Sequence, residues 1–193
     1  MPQTANLIAC LLMIAVCIAA GVIDARTHKI PNKLTYPAIL TGLAFWAVVG
    51  LIQGRGLLGQ TGYLHGTFAG SFFAMLAGLI PFMVLTSMGG LGGGDMKLMG
   101  AVGALSGMWQ VVLGTTFYAL AAAAVIGLFL MFRTGRTKLT LYRLIGIAVT
   151  SGKTIKPDEF DDNPKVPFAV AIALGATLAG CEHLLGLWPP LIW

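Results

Sequence analysis

The segment GGLGGGDMKLMG, Gly89–Gly100, places five glycines and a leucine before Asp95. A long apolar run follows at once, because Met96–Phe132 contains a single charged residue, Lys97. An ionised carboxylate at the start of a hydrophobic helix is unfavourable unless a neighbouring group binds or uses it. The fold and the function both depend on what surrounds this aspartate.

The composition indicates an integral membrane protein. The chain has 193 residues, of which 57% are hydrophobic and 10% are charged, whereas a soluble domain carries about a quarter charged residues. Several uncharged segments approach the roughly 20 residues that an α-helix needs to cross a bilayer. We therefore predict an all-α, polytopic membrane protein whose outer surface contacts lipid.

The charge and the cysteines exclude several other classes. The net charge of +5 fits orientation in a membrane and contact with anionic headgroups, and no array of basic and aromatic residues favours nucleic acid. Three cysteines, Cys10, Cys17 and Cys181, lie in apolar runs without a CxxC pair, which speaks against structural zinc and a disulfide framework. We expect no metal and no cofactor.

Six transmembrane helices are predicted within a single membrane-embedded domain, residues 1–193. A tight turn at Ser106-Gly107-Met108 divides the long apolar run into a short fourth span and a fifth. The predicted spans are Ala5–Ile23, Tyr36–Gln53, Thr67–Thr86, Gly94–Leu105, Met108–Phe132 and Val166–Leu187.

The distribution of basic residues supports this division. With the turn, all twelve Lys and Arg residues except Arg55 lie on one side of the membrane, as the positive-inside rule requires of the cytoplasmic side. Without the turn, the basic residues from Arg133 to Lys165 would lie on the opposite side of the membrane. The prediction puts both termini outside. The segment LTLYRLIGIAVT, residues 139–150, is compatible with a short helix along the membrane surface.

This topology brings two acids to the same depth. Asp24 closes the first span and Asp95 opens the fourth, both at cytoplasmic helix ends. Two carboxylates a few ångströms apart cannot both ionise easily, so one can act as base and the other as proton donor in peptide hydrolysis. Two plainer interpretations stay open: Asp24 as a boundary charge facing water, and Asp95 as a charge favoured by a helix amino terminus.

The residues around Asp95 are candidates for binding substrate or positioning the backbone. Glycines at Gly92, Gly93 and Gly94 permit unusual backbone angles and close approach of another chain. Lys97 either extends to the lipid headgroups, or its charge lowers the pKa of a neighbouring acid or steers the substrate.

These motifs resemble those of the type IV prepilin peptidases, which are GxGD membrane aspartyl proteases. GGGDMK contains the GxGD pattern at Gly92, Gly94 and Asp95. Asp24 is followed by Ile30-Pro31-Asn32, which resembles the segment after the first aspartate of that family. PKVPFAVAIALG, residues 164–175, is similar to the proline-bearing start of its last helix.

The resemblance implies an aspartic-type endopeptidase of the bacterial inner membrane, with Asp24 and Asp95 as catalytic residues. Its expected partners are prepilins or pseudopilins, whose leader is removed after a glycine at the cytoplasmic face. The chain resembles the short class that serves Flp/Tad-type pili, without the CxxC-bearing extension associated with methyl transfer. An archaeal preflagellin peptidase, another GxGD protease and a non-catalytic membrane subunit remain alternatives.

Overall fold

A computed structural model describes residues 2–59, 65–87, 91–133 and 168–186. These residues form six α-helices and no strand, which confirms the all-α prediction for this part of the chain. The helices are α1 (Pro2–Thr27), α2 (Asn32–Ile52), α3 (Phe68–Ser87), α4 (Gly93–Ser106), α5 (Trp109–Arg133) and α6 (Phe168–Leu185). The segment 139–150 lies outside the described residues.

Five of the helices are long and apolar enough to cross a membrane, namely all except α4. Their outward faces carry large apolar side chains: Leu40 is 67% exposed, Phe117 70% and Phe129 62%. Exposed apolar surface on this scale suits lipid rather than water. The protein is therefore a polytopic helical membrane protein.

The fourth helix is short and central. It has 14 residues, which corresponds to about 21 Å at 1.5 Å per residue, and every side chain from Leu98 to Ser106 is buried. It packs against each of the other five helices. Its bounds agree within one residue with the predicted span, while the prediction that it forms a full crossing stays a prediction.

Glycines allow α4 to lie this close to α2 and α3. A Cβ atom added at Gly42 of α2 would be 2.5 Å from the carbonyl carbon of Ala104, and one added at Gly100 of α4 would be 2.8 Å from Leu79. A Cβ at Gly103 of α4 would collide with the backbone of Ala74 in α3. Small residues at such contacts let helix backbones approach closely in membrane proteins.

The predicted turn between the fourth and fifth helices is confirmed. Gly107 has a φ of 66°, and its N–H donates to the carbonyl oxygen of Gly103 at 3.0 Å. A left-handed glycine is a common way to end a helix. The Trp46 ring fixes the same turn, because its Nε1 donates to the carbonyl oxygen of Leu105 at 2.8 Å.

Contacts at the two ends of the bundle show that α6 runs antiparallel to α1 and to α5. At one end, Asp24 near the end of α1 meets Ala169 at the start of α6. At the other end, Tyr118 in the first half of α5 donates to Glu182 near the end of α6, at 2.6 Å. Both directions agree with the predicted topology.

The close contact at Gly42 predicts a stability difference between two glycine-to-alanine variants. Gly42→Ala would force its Cβ against the Ala104 and Leu105 backbones, so we expect a loss of about 1–3 kcal/mol. Gly127→Ala in α5 is the matched control, because no atom lies within 4 Å of the added Cβ. Thermal unfolding in detergent micelles measures both. Equal melting temperatures for Gly42→Ala and wild type would contradict the packing.

Candidate active site

Asp24 occupies the last turn of α1, and its side chain is only 8% exposed. The helix ends three residues later at Thr27, and His28 follows with a φ of +50°. The His28 N–H donates to the Asp24 carbonyl oxygen at 2.8 Å, which closes the helix. His28 itself is exposed, as expected of a loop histidine, and contacts Asp24 through the backbone.

A connection of four residues returns the chain from α1 to α2. It ends at Pro31, the N-cap of α2, whose φ of −71° and ψ of 134° are extended. The short connection keeps Ile30 and Asn32 beside the end of α1 that bears Asp24. The Ile-Pro-Asn triplet therefore lines the same end of the bundle as the first aspartate.

Asp95 lies in the first turn of α4 and caps the helix that it begins. The Gly92 N–H donates to Asp95 Oδ2 at 3.3 Å, and the Asp95 N–H donates to the Gly92 carbonyl oxygen at 3.1 Å. A carboxylate at this position satisfies an otherwise unpaired backbone donor of the helix start. The position of Asp95 thus fits the interpretation as a charge at a helix amino terminus, which does not exclude a second role.

The three glycines before Asp95 differ in their surroundings. Gly92 has a φ of −76° and a ψ of 144°, so this residue does not adopt the unusual backbone angles that glycine permits. A Cβ at Gly94 would lie 3.0 Å from the Cβ of Ile30, whereas a Cβ at Gly93 would meet no atom within 4 Å. Close approach is therefore realised at Gly94, where the α1–α2 connection contacts α4.

Lys97 joins α4 to α2. Its Nζ donates to Asn32 Oδ1 at 2.8 Å and lies 5.0 Å from the centre of the Tyr36 ring. A cation over an aromatic face is attracted to the electrons of the ring. The Lys97 ammonium is thus directed at α2, and it connects the GxGD segment to the Ile-Pro-Asn triplet.

The two aspartates interact electrostatically. Asp95 lies outside the five helices that could cross the membrane, and its pKa is raised to about 6. Burial is the largest cause and the negative charge of Asp24 the second, while the hydrogen bond from Gly92 acts in the opposite direction. A raised pKa of this kind is typical of paired carboxyl groups.

A further helix reaches this end of the bundle. The backbone N–H of Ala169, the second residue of α6, donates to Asp24 Oδ2 at 3.3 Å. Beside it, the Phe168 ring lies 6.1 Å from the Phe82 ring of α3. The ends of α1, α2, α4 and α6 therefore meet around the two acids.

The sequence profile of the type IV leader peptidase family matches residues 11–132, which include Asp24, the Ile-Pro-Asn triplet and Asp95. The chain belongs to the type IV leader peptidase family. The match covers α1 from residue 11 to nearly the end of α5, and α6 lies beyond it.

Individual relatives agree with this assignment. A prepilin leader peptidase/N-methyltransferase of Burkholderia pseudomallei is 30% identical over 121 residues, which cover 62% of this chain and 36% of the relative. A protein of the same name from Escherichia coli is 36% identical over 92 residues, or 48% of this chain and 37% of the relative. The matches thus span little more than a third of these relatives. No solved structure matches the chain.

Two other titratable side chains, those of His65 and Glu182, lie away from the leader peptidase motifs. His65 approaches Gln110 at the start of α5, with 3.4 Å between their side-chain nitrogens, and Glu182 is bonded to Tyr118. Both belong to the end of the bundle opposite the aspartates. Within the described ranges, no group of three His, Cys, Asp or Glu side chains is arranged to hold a metal.

Sequence reasoning missed two features of this candidate site. It did not identify Asn32 and Tyr36 as partners of Lys97, although Asn32 belongs to a quoted motif. It also did not identify Ala169, because the donor is a backbone N–H that any residue except proline provides. The nearby proline-bearing segment was the available signal for α6.

The glycine contacts predict different stabilities for two adjacent substitutions. Gly94→Ala would displace the α1–α2 connection by a few tenths of an ångström at Ile30, and we expect a lower melting temperature. Gly93→Ala is the matched control and should retain the wild-type melting temperature or exceed it, since its side chain would enter open space. Thermal unfolding in detergent micelles measures both. A Gly94→Ala melting temperature equal to that of Gly93→Ala would contradict this account.

Proposed function

We propose that the protein is a membrane aspartyl endopeptidase that removes the leader of type IV prepilins or pseudopilins. Cleavage follows a glycine just before the hydrophobic helix of the substrate. The observation that carries this proposal is the electrostatic coupling of Asp24 and Asp95 in a chain of the type IV leader peptidase family. The printed names of the relatives support the substrate class.

The paired acids account for hydrolysis without a covalent intermediate. The ionised carboxylate takes a proton from water as the water oxygen bonds to the scissile carbonyl carbon, while the protonated carboxyl donates its proton to the carbonyl oxygen. The C–N bond then breaks as the aspartic acid that took the proton from water protonates the leaving nitrogen. The other carboxylate recovers its proton from the collapsing diol. Both acids return to their starting states.

The surroundings of the pair suit a peptide substrate. Gly92 and Gly93 are exposed, and no atom within 4 Å covers the face of Gly93 where a side chain would be. This open strip next to Asp95 can accommodate an extended segment. We assign Gly92 and Gly93 to substrate binding, and Gly94 and Lys97 to positioning of the α4 turn.

The proposed orientation of the protein in the membrane follows from the distribution of its basic residues. The basic residues Arg26, Lys29 and Lys33 lie on or just after the helix end that bears Asp24, and such residues favour the cytoplasmic side. We therefore propose an enzyme of the bacterial inner membrane with the acids facing the cytoplasm and both termini outside. The hydrophobic helix of the substrate would approach through the lipid. Methyl transfer, which the names of the relatives include, is not part of this proposal.

Separate replacement of each acid tests the function. Asp24→Asn and Asp95→Asn should each reduce leader cleavage of a co-expressed prepilin by at least about a hundredfold, because general acid–base groups contribute roughly 10²–10⁴ each. Host cells must lack other prepilin peptidases. Cleavage is measured by the change in substrate mass.

Glu182→Gln provides the matched control for these variants. It removes a carboxylate at the opposite end of the bundle but retains an oxygen that can accept from Tyr118, so cleavage should remain near wild type. Membrane insertion of every variant is verified by detergent extraction and thermal unfolding. Normal cleavage by either aspartate variant would reject the paired-acid mechanism.

A further inference from the structure

The first turn of α6 contacts an aspartate that lies far away in sequence. The Ala169 N–H donates to Asp24 Oδ2 across 145 residues, and both groups are buried: Ala169 is 0% exposed and Asp24 8%. The family match ends at residue 132, so it does not include this contact. The contact therefore needs an explanation of its own.

The packing of α1 against α6 fixes this hydrogen bond. Gly21 lies almost one turn before Asp24, and a Cβ there would be 3.4 Å from the Ala169 carbonyl oxygen, the Val170 Cα and the Ala173 Cβ. The two helices are thus in contact along the turn that precedes the aspartate. Contact of Phe168 with Phe82 of α3 holds the start of α6 from another side.

A backbone N–H at this position favours a negative partner. The first N–H groups of a helix have no acceptor within the helix, and the helix amino terminus carries a partial positive charge. Such a donor attracts a carboxyl oxygen and restricts the orientation of the carboxyl group. In this protein the donor engages Asp24 Oδ2.

We propose that the first turn of α6 is a positioning element of the active site, in which the Ala169 N–H holds the Asp24 carboxyl in the orientation that presents it to the substrate. This inference rests on the proposed function. Ala169 is a positioning residue, and the reacting groups remain the two carboxyls.

Ala169→Pro tests the inference by removing the N–H. Proline is tolerated in the first turn of a helix, and Ala169→Gly is the control that keeps the donor. Loss of a hydrogen bond to a charged group should lower kcat of the full-length protein about ten- to a hundredfold. The KM for a prepilin with a glycine before its hydrophobic helix should change by less than about twofold.

The split between kcat and KM, together with the conservative variant, separates positioning from a general structural defect. Ala169→Pro should lose kcat at an unchanged KM and melting temperature, whereas Ala169→Gly keeps the donor and should retain the wild-type kcat. An unchanged kcat in Ala169→Pro would overturn the inference. So would a change confined to KM.

A second series covers the case in which Ala169→Pro does not fold. Gly21→Ala would place its Cβ at ordinary contact distance from α6 and should leave kcat unchanged, while Gly21→Val adds two methyl groups that push α6 away. Gly21→Val should reproduce the loss of kcat at an unchanged KM; an unchanged kcat would overturn the inference. If Asp24→Asn abolishes cleavage but these variants do not affect it, the proposed function stands and this inference fails.

Discussion

The structure depends on the close backbone contact between α4 and the two helices beside it. Gly42 of α2 and Gly103 of α4 leave no room for a side chain at these contacts. The short helix is therefore surrounded by protein, with its side chains from Leu98 to Ser106 buried. A side chain introduced at either glycine would collide with the backbone of the neighbouring helix.

The position of the α4 start relative to the end of α1 determines the chemistry of the site. Asp24 at the end of α1 and Asp95 at the start of α4 are close enough for the charge of one to raise the pKa of the other. The Lys97–Asn32 hydrogen bond and the Gly94–Ile30 contact connect the start of α4 to the α1–α2 connection. These contacts hold the acids together without a covalent or metal link among the described residues.

Much of the fold was predictable because membrane insertion restricts the choices. Uncharged runs of sufficient length predict helices, and the basic residues require a turn near Gly107, where the left-handed backbone favours glycine. The predicted alternation of helices brings Asp24 and Asp95 to one end of the bundle. Their placement follows from topology, although their interaction required coordinates.

The unpredicted contacts involve groups without a sequence signature. The Ala169 donor belongs to the backbone, so the identity of the side chain carries no information about it. Lys97 has a long, flexible side chain whose partners, Asn32 and Tyr36, are set by how α2 and α4 pack. The ordinary angles of Gly92 show that a glycine-rich sequence permits unusual angles without requiring them.

The most direct test of the central claim is the titration of Asp95 with and without the charge of Asp24. Carboxyl ¹³C NMR of detergent-solubilised protein should give an Asp95 pKa of about 6 in wild type. In Asp24→Asn it should be lower, because ionisation no longer occurs beside a negative charge; Glu182→Gln should retain the wild-type value. An Asp95 pKa that is the same in Asp24→Asn and wild type would contradict the account.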